Sequence, residues 1–161
     1  MAETAGPEPD HLPSPFMGEV LEQREELLDA VLALEHALSL PARDAAWPTR
    51  VRAGLDELAG ALVRHTEVTE APDGLFDQVM AGSPTLAAPV DRLRREHVTL
   101  QSGIEVGRRL VAAAAANAGD TDAVEHARDE IVDLIRRFLR HRQRGADLLY
   151  DAYAVDVGAG D

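Results

Sequence analysis

The segment IVDLIRRFLRHRQRGADLLYDAY, residues 131–153, decides the fold. Its apolar residues recur at three- and four-residue steps, which places them on one side of a helix. They are Ile131, Leu134, Ile135, Phe138, Leu149 and Tyr153. His141 lies at the edge of that side. We therefore predict that its imidazole faces other helices and not bulk water.

Two earlier segments carry a histidine in the same way. They are LDELAGALVRHTEVTE, which contains His65, and VDRLRREHVTLQSGI, which contains His97. The helical period predicts four long helices, at about 17–40, 49–70, 88–115 and 123–153. Residues 75–80 have the spacing of a short amphipathic helix in the connection between the second and third. This pattern predicts an all-α protein, an up-down-up-down four-helix bundle with a short extra helix.

The length of 161 residues corresponds to one domain. Residues 1–16 contain four prolines and no apolar period, so we predict a disordered N-terminal tail before a bundle at 17–153. Residues 154–161 are predicted to be a frayed C-terminal tail. Aromatic residues make up only 4% of the chain, which favours a core of aliphatic helices over sheets.

Charge and composition exclude several classes of function. A formal net charge of -13 would repel nucleic acid and anionic membranes over most of the surface. The absence of cysteine excludes disulfides, thiolate metal sites and thiol catalysis. The acidic, proline-rich start is unlike a signal peptide, and no stretch is apolar enough to span a bilayer. The expected location is cytoplasmic, with neither nucleic acid nor membrane as a partner.

Counting residues from the connecting turns predicts which side chains lie at the same level of the bundle. His97 and His141 are equally far from a turn centred near residue 118, and His65 falls close to the same level. On the first helix the same count reaches residues 23–25, of which Arg24 has the most inward phase. Three histidines are therefore expected in one layer beneath the 75–80 segment, where they could bind a metal or a cofactor.

One histidine on each of three helices, with the runs HTEVTE and HRQRGADLLYDAY, resembles the hemerythrin-like (HHE cation-binding) family over about residues 18–153. The resemblance implies a four-helix bundle with a carboxylate-bridged di-iron site that handles dioxygen, peroxide or nitric oxide. Carried over by position, His65, His97 and His141 match the family's histidine ligands. His36 is the only histidine on the first helix, although level counting favours Arg24 or Glu25 at that place.

The sequence departs from the family pattern at both bridging carboxylates. Thr69 and Gly145 stand one turn after His65 and His141, with Glu70 and Asp147 as the nearest acidic substitutes. Without anionic bridges, two iron ions would lack charge compensation, whereas a single iron or zinc ion with three histidines is feasible.

The same two departures leave other kinds of ligand open. Thr69 and Gly145 are small, so the space beside them is predicted to admit a larger ligand, either haem or an organic molecule. An inward Arg24 would favour an anion or a carboxylate as its partner. A bundle that has lost its metal and serves as an interaction module is a further alternative.

Overall fold

The computed structural model describes residues 15–153, and this part of the chain is almost entirely helical. Helix α1 spans Pro15–Ser39, α2 Trp47–Glu70, α3 Leu75–Gly82, α4 Ala87–Ala116 and α5 Thr121–Tyr153. A 3-10 turn at Pro84–Leu86 precedes α4, and no strand occurs within the described range. The all-α class, the four long helices and the short extra helix are confirmed. Helix α1 begins two residues before the predicted start, so residues 15 and 16 of the tail predicted at 1–16 are helical. Residues 1–14 of that tail and the C-terminal tail predicted at 154–161 lie outside the described residues.

The four long helices pack together in a ring of neighbours. Helix α1 packs on α2, α2 on α4, α4 on α5, and α5 returns to α1. The short helix α3 contacts α2 and leads into α4 through the 3-10 turn. Each long helix therefore has an inward face, and Ile131, Leu134, Ile135 and Phe138 occupy that of α5 as predicted. The prediction was wrong at the end of α5, where Tyr153 is 43% exposed and the face passes through Leu148, with Leu149 only partly buried.

Buried apolar side chains form two separate clusters. The larger cluster draws on all four long helices and includes Leu27, Leu34, Leu55, Leu58, Leu62, Leu100, Ile104, Ile131, Leu134 and Phe138. The smaller cluster lies beneath α3 and consists of Val20, Leu75, Phe76, Val79, Val90, Leu93 and Leu148. Burial of these side chains is the main favourable contribution to folding.

A polar layer lies between the two clusters, and each long helix contributes one residue to it. His97 stands between Leu93 of the smaller cluster and Leu100 of the larger one. His141 lies between Phe138 and Leu148 in the same way, and His65 follows Leu62. On α1, Arg24 lies between Val20 and Leu27. We call His65, His97, His141 and Arg24 the polar layer.

Two glycines of α4 allow its neighbours to approach closely. A Cβ atom added at Gly103 would lie 2.6 Å from Leu134 Cδ1, which is closer than real side chains come. A Cβ at Gly107 would lie 3.3 Å from Leu55 Cδ2. Since these contacts place α4 tightly against α5 and α2, they help to bring the histidines of the three helices within reach of one another.

Within residues 15–153, no helix combines the length and the apolar character that crossing a bilayer requires.

Candidate metal centre

Three buried histidines on different helices converge at the polar layer. His65, His97 and His141 are 8%, 4% and 3% exposed. One ring nitrogen from each lies within 4.8 Å of the others. The Nε2 atoms of His97 and His141 are 3.1 Å apart, and those of His141 and His65 are 3.4 Å apart. The predicted convergence of the three histidines is confirmed.

These separations suit nitrogen donors around a single ion. Zinc–imidazole bonds of the usual length, arranged tetrahedrally, place neighbouring nitrogens about 3.3 Å apart. The two measured Nε2 separations, 3.1 and 3.4 Å, lie on either side of that value. Three imidazoles with a free fourth position are the ligand set of many catalytic metal sites.

The outer nitrogens of two histidines contact carboxylates. His97 Nδ1 bonds Glu70 Oε1, and His141 Nδ1 bonds Glu96 Oε2 at 2.9 Å. Arg144 also pairs with Glu96, which holds that carboxylate in place. A carboxylate can only accept, so each imidazole donates its Nδ1–H and presents an unprotonated Nε2 to the interior. Outer carboxylates that fix the tautomer in this way are characteristic of metal-binding histidines.

This assignment leaves two acceptor nitrogens facing each other. The Nε2 lone pairs of His97 and His141 repel at 3.1 Å unless a proton or a metal cation lies between them. Burial, followed by neighbouring positive charge, lowers the pKa of His141 and of His65 to about 3. Burial also lowers the pKa of His97, although Glu70 opposes the shift. Protonation is therefore disfavoured at neutral pH, and a metal ion fits the donor set better.

His65 and Phe76 complete the surroundings of the cluster. His65 Nδ1 is buried and has no hydrogen-bond partner among the described residues. The ring of Phe76, on α3, stacks on His97 with 5.9 Å between centroids and 14° between planes. Helix α3 therefore covers the histidines from one end, which shields the site from water.

Arg24 extends into the space beside Gly145 of α5 and lines the same cavity as Thr69 of α2. A Cβ at Gly145 would lie 2.8 Å from Arg24 Nη1. The Thr69 hydroxyl donates to the His65 carbonyl oxygen at 2.9 Å and belongs to the cavity wall. The remaining cavity, lined by Arg24, Thr69, Gly145 and two of the histidines, measures about 20 Å³. That volume holds about one water-sized molecule.

Comparison with family models, curated proteins and solved structures found no match to this chain. The geometry of the histidine cluster is therefore the evidence that bears on the function of this protein.

The other predicted site residues occupy different places. Glu70 contacts the outer nitrogen of His97, so its carboxylate lies away from the point where the Nε2 atoms converge. His36 is exposed and lies outside the histidine group. Glu25 pairs with Arg142 at 3.3 Å, and Asp147 accepts a hydrogen bond from Gln143. The structure thus brings together the three histidines, Arg24, Thr69 and Gly145, with Glu70 at the edge.

Glu96 is the residue that sequence reasoning missed. It precedes His97 on α4, where helical phase directs it away from the centre, yet its carboxylate reaches the outer nitrogen of His141 on α5. The available signal was an acidic residue beside a histidine on an adjacent helix, because most metal-bound imidazoles donate their second N–H to a carboxylate, a carbonyl oxygen or water.

Proposed function

We propose that this protein binds one divalent transition-metal ion through the Nε2 atoms of His65, His97 and His141. The observation that carries the proposal is the pair of facing Nε2 atoms on His97 and His141. Each Nε2 is the unprotonated nitrogen of its ring, because the Nδ1–H of that ring donates to a carboxylate, Glu70 or Glu96. Burial disfavours the alternative, a proton shared between the two rings. The ion would be held by neutral imidazoles and compensated by Glu70 and Glu96 at the periphery.

A single ion suits the donor set better than a di-iron pair. Among the described residues, the group of converging donors consists of three imidazoles without a carboxylate. Two iron ions close together need bridging anions, and Glu70 and Glu96 are already engaged at outer nitrogens. The proposed site is therefore a mononuclear variant of the hemerythrin-like pattern. The ring of helix contacts supports, within this proposal, the family's up-down-up-down arrangement.

The donor set suits zinc and iron, since imidazole binds both. The hemerythrin-like resemblance implies iron, whereas three imidazoles and one free position match many zinc sites. Either ion would supply Lewis-acid chemistry and a free coordination position for a small molecule. The cavity of about 20 Å³ favours dioxygen, peroxide or nitric oxide over haem or an organic ligand.

Metal titration of protein stripped with a chelator tests the proposal. We expect saturation at one equivalent of Zn²⁺ or Fe²⁺ by calorimetry. An ion that binds only the folded state stabilises it by about 2.7 kcal/mol at a hundredfold excess over Kd. For a chain of this size that gain corresponds to an increase in Tm of about 5–10 °C. A Tm unchanged by every first-row divalent ion would reject metal binding and leave a metal-free bundle.

A further inference from the structure

Arg24 lies beside the histidine cluster. It is the only residue of the polar layer that is not a histidine, and its guanidinium lines the same small cavity as His65 and His141. The cavity's other lining residues are Thr69, Arg142, Gly145 and apolar side chains of α1, α3, α4 and α5, including Phe76 and Leu148. Any small molecule in this cavity would contact both the histidine cluster and Arg24.

The guanidinium of Arg24 has few hydrogen-bond acceptors around it among the described residues. Across residues 15–153 it donates one hydrogen bond, to the Arg142 carbonyl oxygen at 3.4 Å, and has no carboxylate within ion-pair distance. Burial and the neighbouring Arg142 lower the pKa of Arg24, against the effect of Glu25. Arg142 itself pairs with Glu25 and keeps a buried Nε without a partner. A guanidinium offers five donors, so this environment is short of negative charge and of acceptor atoms.

With the proposed metal ion bound, the site would carry an excess of positive charge. The proposed divalent ion and the guanidiniums of Arg24 and Arg144 are positive. The carboxylates of Glu70 and Glu96 oppose them, and Glu96 is shared with Arg144. Excess positive charge in a buried, low-dielectric site strongly favours an anionic ligand.

We infer that the molecule recognised at this site is a small inorganic anion, in preference to neutral dioxygen or nitric oxide, held between the free coordination position of the metal and the Arg24 guanidinium. The inference rests on the proposed function, since it requires the metal. The volume of about 20 Å³ restricts the anion to very few atoms, and the donors of Arg24 supply its hydrogen bonds. Arg24 acts here as a specificity-determining residue.

Fluoride binding to the cobalt-loaded protein tests the inference, because this single-atom anion fits a cavity of about 20 Å³ and the visible spectrum of Co²⁺ reports a change in its ligands. Two variants are compared with the wild type. Arg24→Met keeps the approximate length of the side chain but removes its charge, and Arg24→Lys keeps the positive charge but removes the planar guanidinium with its paired N–H donors. Arg140→Met is the matched control, since Arg140 is an exposed arginine of α5 outside the cavity lining. Metal content and circular dichroism are measured for every protein.

Arg24→Met is expected to weaken fluoride binding by about ten- to hundredfold, the usual range for a lost charge-assisted hydrogen bond, with metal content unchanged. Arg24→Lys should fall between that variant and the wild type, and Arg140→Met should stay within about twofold of the wild type. Wild-type affinity in a metal-loaded Arg24→Met protein would overturn the inference, as would an equal loss in Arg140→Met or a cobalt spectrum of the wild-type protein that fluoride leaves unchanged. A wild-type protein without metal would instead reject the proposed function itself, and the inference with it.

Discussion

The His141→Ala protein is expected to bind Zn²⁺ or Fe²⁺ more than about a hundredfold more weakly than the wild type. Its Nε2 lies 3.1 Å from that of His97 and 3.4 Å from that of His65, so His141 links the other two donors. Loss of an outer hydrogen-bond partner costs about ten- to hundredfold in metal affinity, and loss of a ligand should cost more. Competition with a chelating indicator measures the affinity.

Histidine substitutions outside the cluster provide the control. His36 and His126 are exposed, so His36→Ala and His126→Ala should retain wild-type affinity. His65→Ala and His97→Ala should behave like His141→Ala. If His36→Ala lost the metal while His141→Ala kept it, the ligand set would be wrong, and the helix α1 position of the hemerythrin-like pattern would have to be reconsidered.

The second large effect is expected for Glu96→Gln, with a loss of about ten- to hundredfold in metal affinity. Glu96 accepts the His141 Nδ1–H at 2.9 Å and also pairs with Arg144. Glutamine keeps the shape of the side chain but removes the charge that raises the basicity of the imidazole and compensates the ion. The same competition assay gives the affinity, and Glu70→Gln should have a similar effect through His97.

Glu105→Gln is the matched control for this prediction. Glu105 lies on the same helix and pairs with Arg108, away from the histidine cluster, so its substitution should leave the affinity unchanged. A Glu96→Gln protein with wild-type affinity would show that the carboxylate does not act on His141. A loss as complete as that of His141→Ala would make Glu96 itself a ligand.

The helices and the level of the histidines follow from the sequence because both depend on the helical period. Leu93 and Leu100 define the inward face of α4, and His97 lies between them on that face. Counting from the turn then places His97 and His141 at one level, and their Nε2 contact bears this out. The helical period gives the inward faces and the short connections give the levels, so the helical fold and the convergence of the three histidines were predictable.

The inner details of the site were not predictable, because they depend on side-chain rotamers. Glu70 is one position beyond Thr69, and the resulting rotation of about 100° takes its carboxylate to the outer nitrogen of His97. Helical phase brings Arg24 inward, but the placement of its Nη1 atom beside Gly145 depends on the side-chain rotamer. The absence of bridging carboxylates therefore results in a small cavity with a guanidinium in its wall.

The polar layer also has a thermodynamic cost in the absence of metal. It buries three imidazoles, two with pKa values lowered to about 3, and sets the acceptor Nε2 atoms of His97 and His141 against each other at 3.1 Å. Buried polar groups without hydrogen bonds typically destabilise a fold by about 1–3 kcal/mol each. The proposed ion would offset this cost, because it would lie between the facing Nε2 atoms of His97 and His141.

Elemental analysis of the wild-type protein, purified after growth with added iron and zinc, is the most direct test of the central claim. Inductively coupled plasma mass spectrometry, normalised to protein concentration, gives the number of metal ions per chain. Three converging imidazoles without a bridging carboxylate predict one divalent transition-metal ion per chain. Two ions per chain would contradict the mononuclear site, and a metal content near zero would contradict metal binding altogether.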